Sequence, residues 1–504
     1  MKKRYFPIVL SLLILFTTTD IYPKEKFIIK KFNNHVKRSL KKWGVPGMAV
    51  GVMYDGYIIL AKGYGFGDLE KKLPVTRYTM FPIGSATKAF TAFVAGKLVE
   101  TGVFSWEDKV KKYLKGFKLY DAYASDNMRI LDLFLHNSGL PRHDLVWYGS
   151  DKSRKELFEG LKFLKNNKGF RTVFQYQNLM YMTAGFLEEK VTGSSWEEQV
   201  KKYILAPLEM ECTNFSIEDM VKSDNFALPY SEKDGAVSRI PFYREMEGIG
   251  PAGSINSNVY DMLKWVKLNL DRGKWDGKSL IGKKSLDFIH TPHMIAGGVI
   301  TSKIGKFKEF SYPTYGVGWF INHYRGAKMI HHGGSIDGFS SVVTLMPDKN
   351  AAVVVLTNKE NHLLTYAIAL HIYDKLRGLK PIDWNERFMK VLDEIKRKNL
   401  ESRKEVVEKK NDKSTVYDFS QLIGVYEHPA YGKIEIAVKD GKLDFKFNKF
   451  KSDLENNGNN MFTIKTSILA GRKVKFGKDN DMKVFSLSIK LEKSVDSIVF
   501  LMKD

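Results

Sequence analysis

In 504 residues there is a single cysteine, Cys212. No internal disulfide can form, so burial of side chains must hold the fold together. Cys/His clusters with zinc spacing are also missing, which removes a finger- or ribbon-type metal site. Cys212, within Met210-Glu211-Cys212-Thr213, is expected to be a small buried residue. Long apolar runs are absent except at the N-terminus. There, Lys2 to Arg4 are basic, Phe6 to Phe16 are apolar, and Thr17, Thr18 and Thr19 follow. The pattern is that of a secretory signal peptide and is too short for a spanning helix. Residues 1–23 are assigned to it, with an uncleaved N-terminal anchor as the alternative. The protein is therefore expected to be exported, either to the periplasm or outside the cell.

Acidic residues are outnumbered. Lysine and arginine total 80 against 57 aspartates and glutamates, a formal charge of +23. The excess reads first as solvated lysine-rich surface and second as adhesion to an anionic envelope surface. No nucleic-acid-binding motif accompanies the charge, and an export signal points away from nucleic acid.

The length exceeds one ordinary core. Ala49 to Tyr54 and Tyr57 to Lys62 flank Asp55-Gly56, a hairpin signal. Gly84 to Leu98 and Tyr260 to Leu270 carry helical periodicity, and Thr365 to Leu376 reads as a closing helix. Met329 to Ile330, Ser340 to Met346 and Ala351 to Thr357 read as strands. Residues 383–415 form a charged helical connector. From 416 to 504 the period changes to two, as in Ile434, Ile436 and Val438, and then Leu443, Phe445 and Phe447. That pattern marks a small all-β barrel or sandwich. The fold class expected is α/β (α+β): an antiparallel sheet flanked by helices with a helical subdomain over 24–382, followed by the β domain.

Three short patterns carry chemistry. Ser85-Ala86-Thr87-Lys88 places a hydroxyl and an amine one helical turn apart, about 5–6 Å at their roots. Phe81-Pro82-Ile83-Gly84 lets the chain turn sharply into the helix, where free N–H groups favour developing negative charge. For Lys88 to act as a base, burial and nearby positive potential must lower its proton affinity. Alone, the pair reads equally as a capping serine and a solvated lysine. Ser39-Leu40-Lys41-Lys42 has the same spacing and is taken as chance on a basic surface helix. Tyr176-Gln177-Asn178 offers a phenol to shuttle a proton and an amide to orient the lysine or a substrate carbonyl. Its plain alternative is a buried tyrosine, with Asn178 capping the next helix. His332-Gly333-Gly334-Ser335 has glycines that permit close approach of an edge strand to substrate. The Ser335 N–H can then pair with that of Ser85 as an oxyanion hole, with His332 facing the same cleft.

Ser-x-x-Lys, Tyr-x-Asn and His-x-Gly, in that order, resemble the serine β-lactamase and penicillin-binding-protein superfamily, in particular its class C-like hydrolase branch. Gly63-Tyr64-Gly65-Phe66-Gly67-Asp68-Leu69-Glu70, Leu135-His136-Asn137-Ser138-Gly139-Leu140-Pro141, Pro251-Ala252-Gly253-Ser254 and Gly338-Phe339 extend the likeness over roughly 45–380. Gly338 and Phe339 set the register so that His332 and Gly334 are the motif residues and His331 faces the other way. The resemblance implies that Ser85 attacks, Lys88 and Tyr176 move the proton, and Asn178, His332, Gly334 and Ser335 hold substrate and stabilise charge. It implies a small-molecule or peptide substrate, no metal or organic cofactor, and a structural role for His136. Many penicillin-recognising members have lysine where this chain has His332. A largely neutral imidazole is a poorer anchor for a β-lactam carboxylate. The expected activity is cleavage of esters or amides, such as D-amino-acid-containing peptides. The alternatives are a β-lactamase or DD-carboxypeptidase proper, and a silent envelope receptor for peptidoglycan fragments or lipid. Leu422-Ile423-Gly424-Val425-Tyr426 and Tyr431-Gly432-Lys433 resemble the lipocalin-like appendage of some such hydrolases. That likeness implies a role in assembly or substrate access and allows a homo-oligomer.

Overall fold

The computed structural model describes residues 23–297, 307–360, 362–407, 419–458 and 460–503. The signal-peptide assignment falls almost wholly outside them. Helix α1 (Pro23–Trp43) leads into strand β1 (Gly47–Tyr54), which turns through Asp55 and Gly56 into β2 (Tyr57–Asp68). Both turn residues have positive φ, 50° and 83°, the backbone that a two-residue hairpin of this twist requires. β3 (Leu73–Pro74) follows. After the helical part come β4 (Met294–Ile295), β5 (Thr314–Tyr315), β6 (Phe320–Tyr324), β7 (Ala327–Ile336), β8 (Phe339–Met346) and β9 (Ala351–Thr357). They form one antiparallel nine-stranded sheet in the order β4-β5-β6-β7-β8-β9-β1-β2-β3.

The sheet is covered on both faces. Along β1, Ala49 and Met53 enter one core, while Met48, Val50 and Val52 enter the other. This is the two-residue alternation of a strand whose two sides are both dry. The first core is shared with helices α2 (Lys88–Glu100), α3 (Asn178–Thr192) and α4 (Val259–Leu270). The second is closed by α1, α5 (His362–Leu376) and α6 (Trp384–Val407). Asn358 fastens the sheet, accepting from Gly47 N–H and donating to the carbonyls of Phe66 and Gly67.

Ser39 is not on a surface. It is 2% exposed, and its hydroxyl accepts from Asn385 of α6, so its Ser-x-x-Lys spacing serves helix packing. Cys212 is exposed, contrary to the expectation of burial. The tight turn after Met210 turns Met210 and Thr213 inward and leaves the thiol outside.

Beyond α6, eight strands from Gly424–His428 to Ile498–Met502 close into a barrel. Its inward positions, among them Ile434, Phe445, Phe462, Phe476 and Phe500, are fully or almost fully buried. They fill the interior, as expected for a barrel of this size. Among the described residues no helix is long and apolar enough to cross a membrane.

Candidate active site

The chain enters the site through Phe81–Pro82, paired with Asn256–Ser257, and reverses at Gly84, whose φ is +52°. Gly84 to Thr87 form a single 3₁₀ turn, and α2 begins at Lys88. Ser85 thus stands at the helix mouth, where backbone N–H groups lack intrahelical acceptors. Lys88, one turn on, is 0% exposed.

Nζ of Lys88 has three neighbours: Ser85 Oγ at 3.0 Å, Asn178 Oδ1 at 2.8 Å and the Ala252 carbonyl at 2.8 Å. Burial holds the lysine well below its ordinary value; the Arg142 charge adds to this and Asp144 opposes it. A neutral amine has two hydrogens and one lone pair. The two carbonyl oxygens can only accept, so they take both hydrogens. The lone pair is left for the Ser85 hydroxyl. The surroundings fix this arrangement. Thr91 Oγ donates to the Pro251 carbonyl and accepts from Trp196, which seats the short helix Gly250–Gly253 and its Ala252 carbonyl. Asn178 Nδ2 donates to Asp144 Oδ1, orienting the amide so that its oxygen faces the lysine.

Burial pushes the Tyr176 phenol up and outweighs the opposing influence of the Ser85 hydroxyl, so it keeps its proton at neutral pH. Its ring lies 4.2 Å from the His136 ring and 4.9 Å from Lys88 Nζ. His136 is buried and held well below its usual value by burial, and its Nδ1 accepts from Gln177 N–H. It is the platform under the Tyr176 turn. The cap of α3 is Gln177, whose side chain accepts from Leu179 N–H, and Asn178 is the first helical residue. Asn178 is thereby freed from capping and points at Lys88.

On the opposite wall, β7 runs past Ser85. Among the described residues, 332–336 pair only with β8, because β6 ends at the partner of His331. A Cβ on Gly84 would lie 2.8 Å from Ser335 N, so the two backbones are in close contact. Gly334 is pressed against the protein's own chain: a Cβ there would sit 1.8 Å from the Ile83 carbonyl oxygen. The close approach that this glycine serves is to the segment leading into Ser85, not to substrate. His332 also departs from expectation. It is 1% exposed and does not line the cleft; its Nε2 bonds the Tyr315 hydroxyl at 3.1 Å. Strand alternation turns it beneath the cleft, beside Tyr176 and Phe320. His331, on the other face, bonds Tyr366 of α5.

Ser85, Asn178 and Ser335 line one cleft with Arg142, Asp144, Tyr148, Met246, Gly253, Asp337 and Glu360. Ser335 Oγ donates to Glu360. The charges at Arg142 and Asp144 sit on a loop with no motif of its own. Ile468 of the barrel also lines the cleft, from more than a hundred residues beyond the last motif.

Residues 32–371 match the family model described as Beta-lactamase. The chain belongs to the beta-lactamase family. Residues 408–500 match a model described as a domain of unknown function, DUF3471. An unguisins hydrolase of Aspergillus campestris is 29% identical over 435 residues, 80% of this chain and 77% of that protein. Protein flp of Staphylococcus aureus strain MW2 is 26% identical over 327 residues, 64% of this chain and 61% of that protein. The structure of an octameric penicillin-binding protein homologue from Pyrococcus abyssi aligns with a TM-score of 0.61 at 24% identity, covering 94% of this chain and all of that one. That likeness shows the fold.

Proposed function

We propose that this protein is an exported serine hydrolase that cleaves small esters or amides, D-amino-acid-containing peptides among them, through an acyl-enzyme on Ser85. The observation that carries the proposal is the seating of Lys88: its buried Nζ lies 3.0 Å from Ser85 Oγ and 2.8 Å from each of two carbonyl oxygens, so that in the neutral amine the lone pair is left for the serine. Ser85 O–H gives its proton to Lys88 as Oγ attacks the substrate carbonyl carbon. Negative charge develops on the carbonyl oxygen between the N–H groups of Ser85 and Ser335. As the tetrahedral species collapses, the proton on Lys88 passes by way of the Tyr176 hydroxyl to the leaving nitrogen or oxygen. Water then enters by the same steps in reverse and releases the acid. The hydrolase named among the relatives supports turnover over a silent receptor. Export rests on the basic and apolar N-terminal sequence. Assembly into a homo-oligomer is supported by the octameric relative.

The test is a fluorophosphonate probe with intact mass, followed by a panel of esters, D- and L-aminopeptide substrates and β-lactams. One adduct per chain is expected, lost in Ser85→Ala, with hydrolysis of at least one ester or amide. An adduct that persists in Ser85→Ala overturns the assignment of the nucleophile. Acylation without any turnover overturns the enzyme in favour of a receptor.

A further inference from the structure

The barrel touches the hydrolase domain mainly at the loop that carries Arg142 and Asp144. Between these two charges lies His143, with φ +47°, a conformation that non-glycine residues seldom adopt. It is 1% exposed and held by three hydrogen bonds. Its N–H donates to Glu492 Oε2 at 3.0 Å, its Nδ1 lies 2.7 Å from the Tyr431 hydroxyl, and its Nε2 lies 2.9 Å from the Lys165 carbonyl. A carbonyl can only accept, so Nε2 carries the ring proton and Nδ1 accepts from Tyr431. Two of the three bonds therefore come from the barrel. A barrel turn secures the rest of the loop. Asn448 Nδ2 donates to the carbonyls of Leu145 and Tyr148, Lys449 N–H donates to Gly149, and Phe450 stacks on Tyr148.

We infer that the C-terminal barrel is a brace for the catalytic loop: Tyr431 and Glu492 pin His143 and so fix where Arg142 and Asp144 stand relative to Lys88. Tyr431 and Glu492 are positioning residues and do not touch substrate. The inference rests on the hydrolase function proposed above. It gives a task to the segment that matches a domain of unknown function. The link from loop to chemistry is short. Arg142 packs on the Tyr176 ring at 5.1 Å, and Asp144 holds Asn178, which holds Lys88. The titratable groups around the amine are Arg142 and Asp144 on the loop, Tyr176 and Tyr181 on or beside α3, and His136 beneath. Only the first two depend on the barrel for their position. When the loop loosens, water reaches the amine and Arg142 withdraws. Both changes raise the proton affinity of Lys88; withdrawal of Asp144 acts the other way but is the smallest of the three influences, so the net change is upward.

The experiment measures the second-order rate of fluorophosphonate acylation across pH in the full chain, for wild type, Tyr431→Phe, the pair Tyr431→Phe with Glu492→Ala, and Phe485→Ser. Phe485 is exposed on the barrel and serves as the control. In the pair, acylation at pH 7 is expected to fall about tenfold, equivalent to a shift of the rising limb by about one pH unit toward alkaline values. Rates should converge with wild type at high pH, and Phe485→Ser should match wild type throughout. A wild-type rate and profile in the pair overturns the brace. A lower rate with an unmoved limb also overturns it, because a loss of folded protein lowers amplitude without changing the base. Should the pair fail to fold, Tyr431→Phe alone, which deletes one oxygen, decides by the same two outcomes. A wild-type chain that takes no label overturns the hydrolase function itself, and the brace with it.

Discussion

Replacing Gly334 with alanine should disable the site without touching any reacting group. The added Cβ would lie 1.8 Å from the Ile83 carbonyl oxygen, 2.8 Å from its carbon and 2.5 Å from Ser341 Oγ. Real Cβ contacts stay beyond 3.0 Å, so the Ile83 oxygen must retreat by at least 1.2 Å, the shortfall between 1.8 and 3.0 Å. It cannot retreat freely, because it accepts from the Ser341 hydroxyl at 2.6 Å and its residue is buried. Ile83 is two residues before Ser85, so the displacement passes directly to Ser85 while Lys88 stays anchored by Asn178 and Ala252. A misplacement of about 1 Å costs on the order of a hundredfold in rate, and overpacking of this kind costs about 1–3 kcal/mol of stability. Fluorophosphonate acylation should therefore fall about a hundredfold in a chain that still unfolds cooperatively. Gly116→Ala is the control, since its Cβ would meet nothing closer than 3.8 Å. A Gly334→Ala protein that acylates at the wild-type rate would refute the claim that β7 positions Ser85 through Ile83.

Two further outcomes are expected. Acylation should rise with pH and level off well below the ordinary lysine value of 10.5, because only the unprotonated amine has a lone pair and burial lowers the pH at which it appears. A rate that keeps climbing to pH 10–11 would mean that Lys88 is solvated and charged. Cys212, being exposed, should take one maleimide per native chain with turnover unchanged, whereas labelling only after denaturation would contradict its placement.

Much of the candidate site's geometry was legible because it is built on short, rigid spacings. Ser85 and Lys88 are one turn apart on a single helix, and Asn178 follows Tyr176 at the mouth of another, so local sequence records their geometry. The register that separates His331 from His332 was legible for the same reason: a strand alternates, and the two rings do face opposite cores. That His332 lies under the cleft was not, since Tyr315 comes from β5, two strands away across the sheet, and no short pattern encodes that placement. Ala252 acts through a backbone carbonyl, which any residue would supply. What ties Arg142 to Tyr176 and Asp144 to Asn178 is contact across the fold, which no spacing within the loop records. The thiol of Cys212 illustrates the opposite case, where composition suggested burial and a tight turn decided otherwise. In the barrel, period-two alternation announced the strands. Closure and docking depend on contacts such as Tyr148 with Phe450, made between residues about 300 positions apart.

The position of β1 has a consequence for how the chain is made. It is the first strand of the sheet in sequence, yet it lies inside the sheet, hydrogen-bonded to β2 on one side and to β9 on the other, with Met48 opposite Thr357 and Tyr54 opposite Ala351. β9 is synthesised about 300 residues later, a delay of about 15 to 60 s at ordinary elongation rates. Throughout that interval the β1–β2 hairpin has an open, apolar edge, and an edge of that kind recruits other strands. A nascent chain of this protein must be held unfolded or shielded until its last sheet strand emerges, so the delay in pairing, more than the stability of the finished sheet, is where its synthesis is most exposed to aggregation.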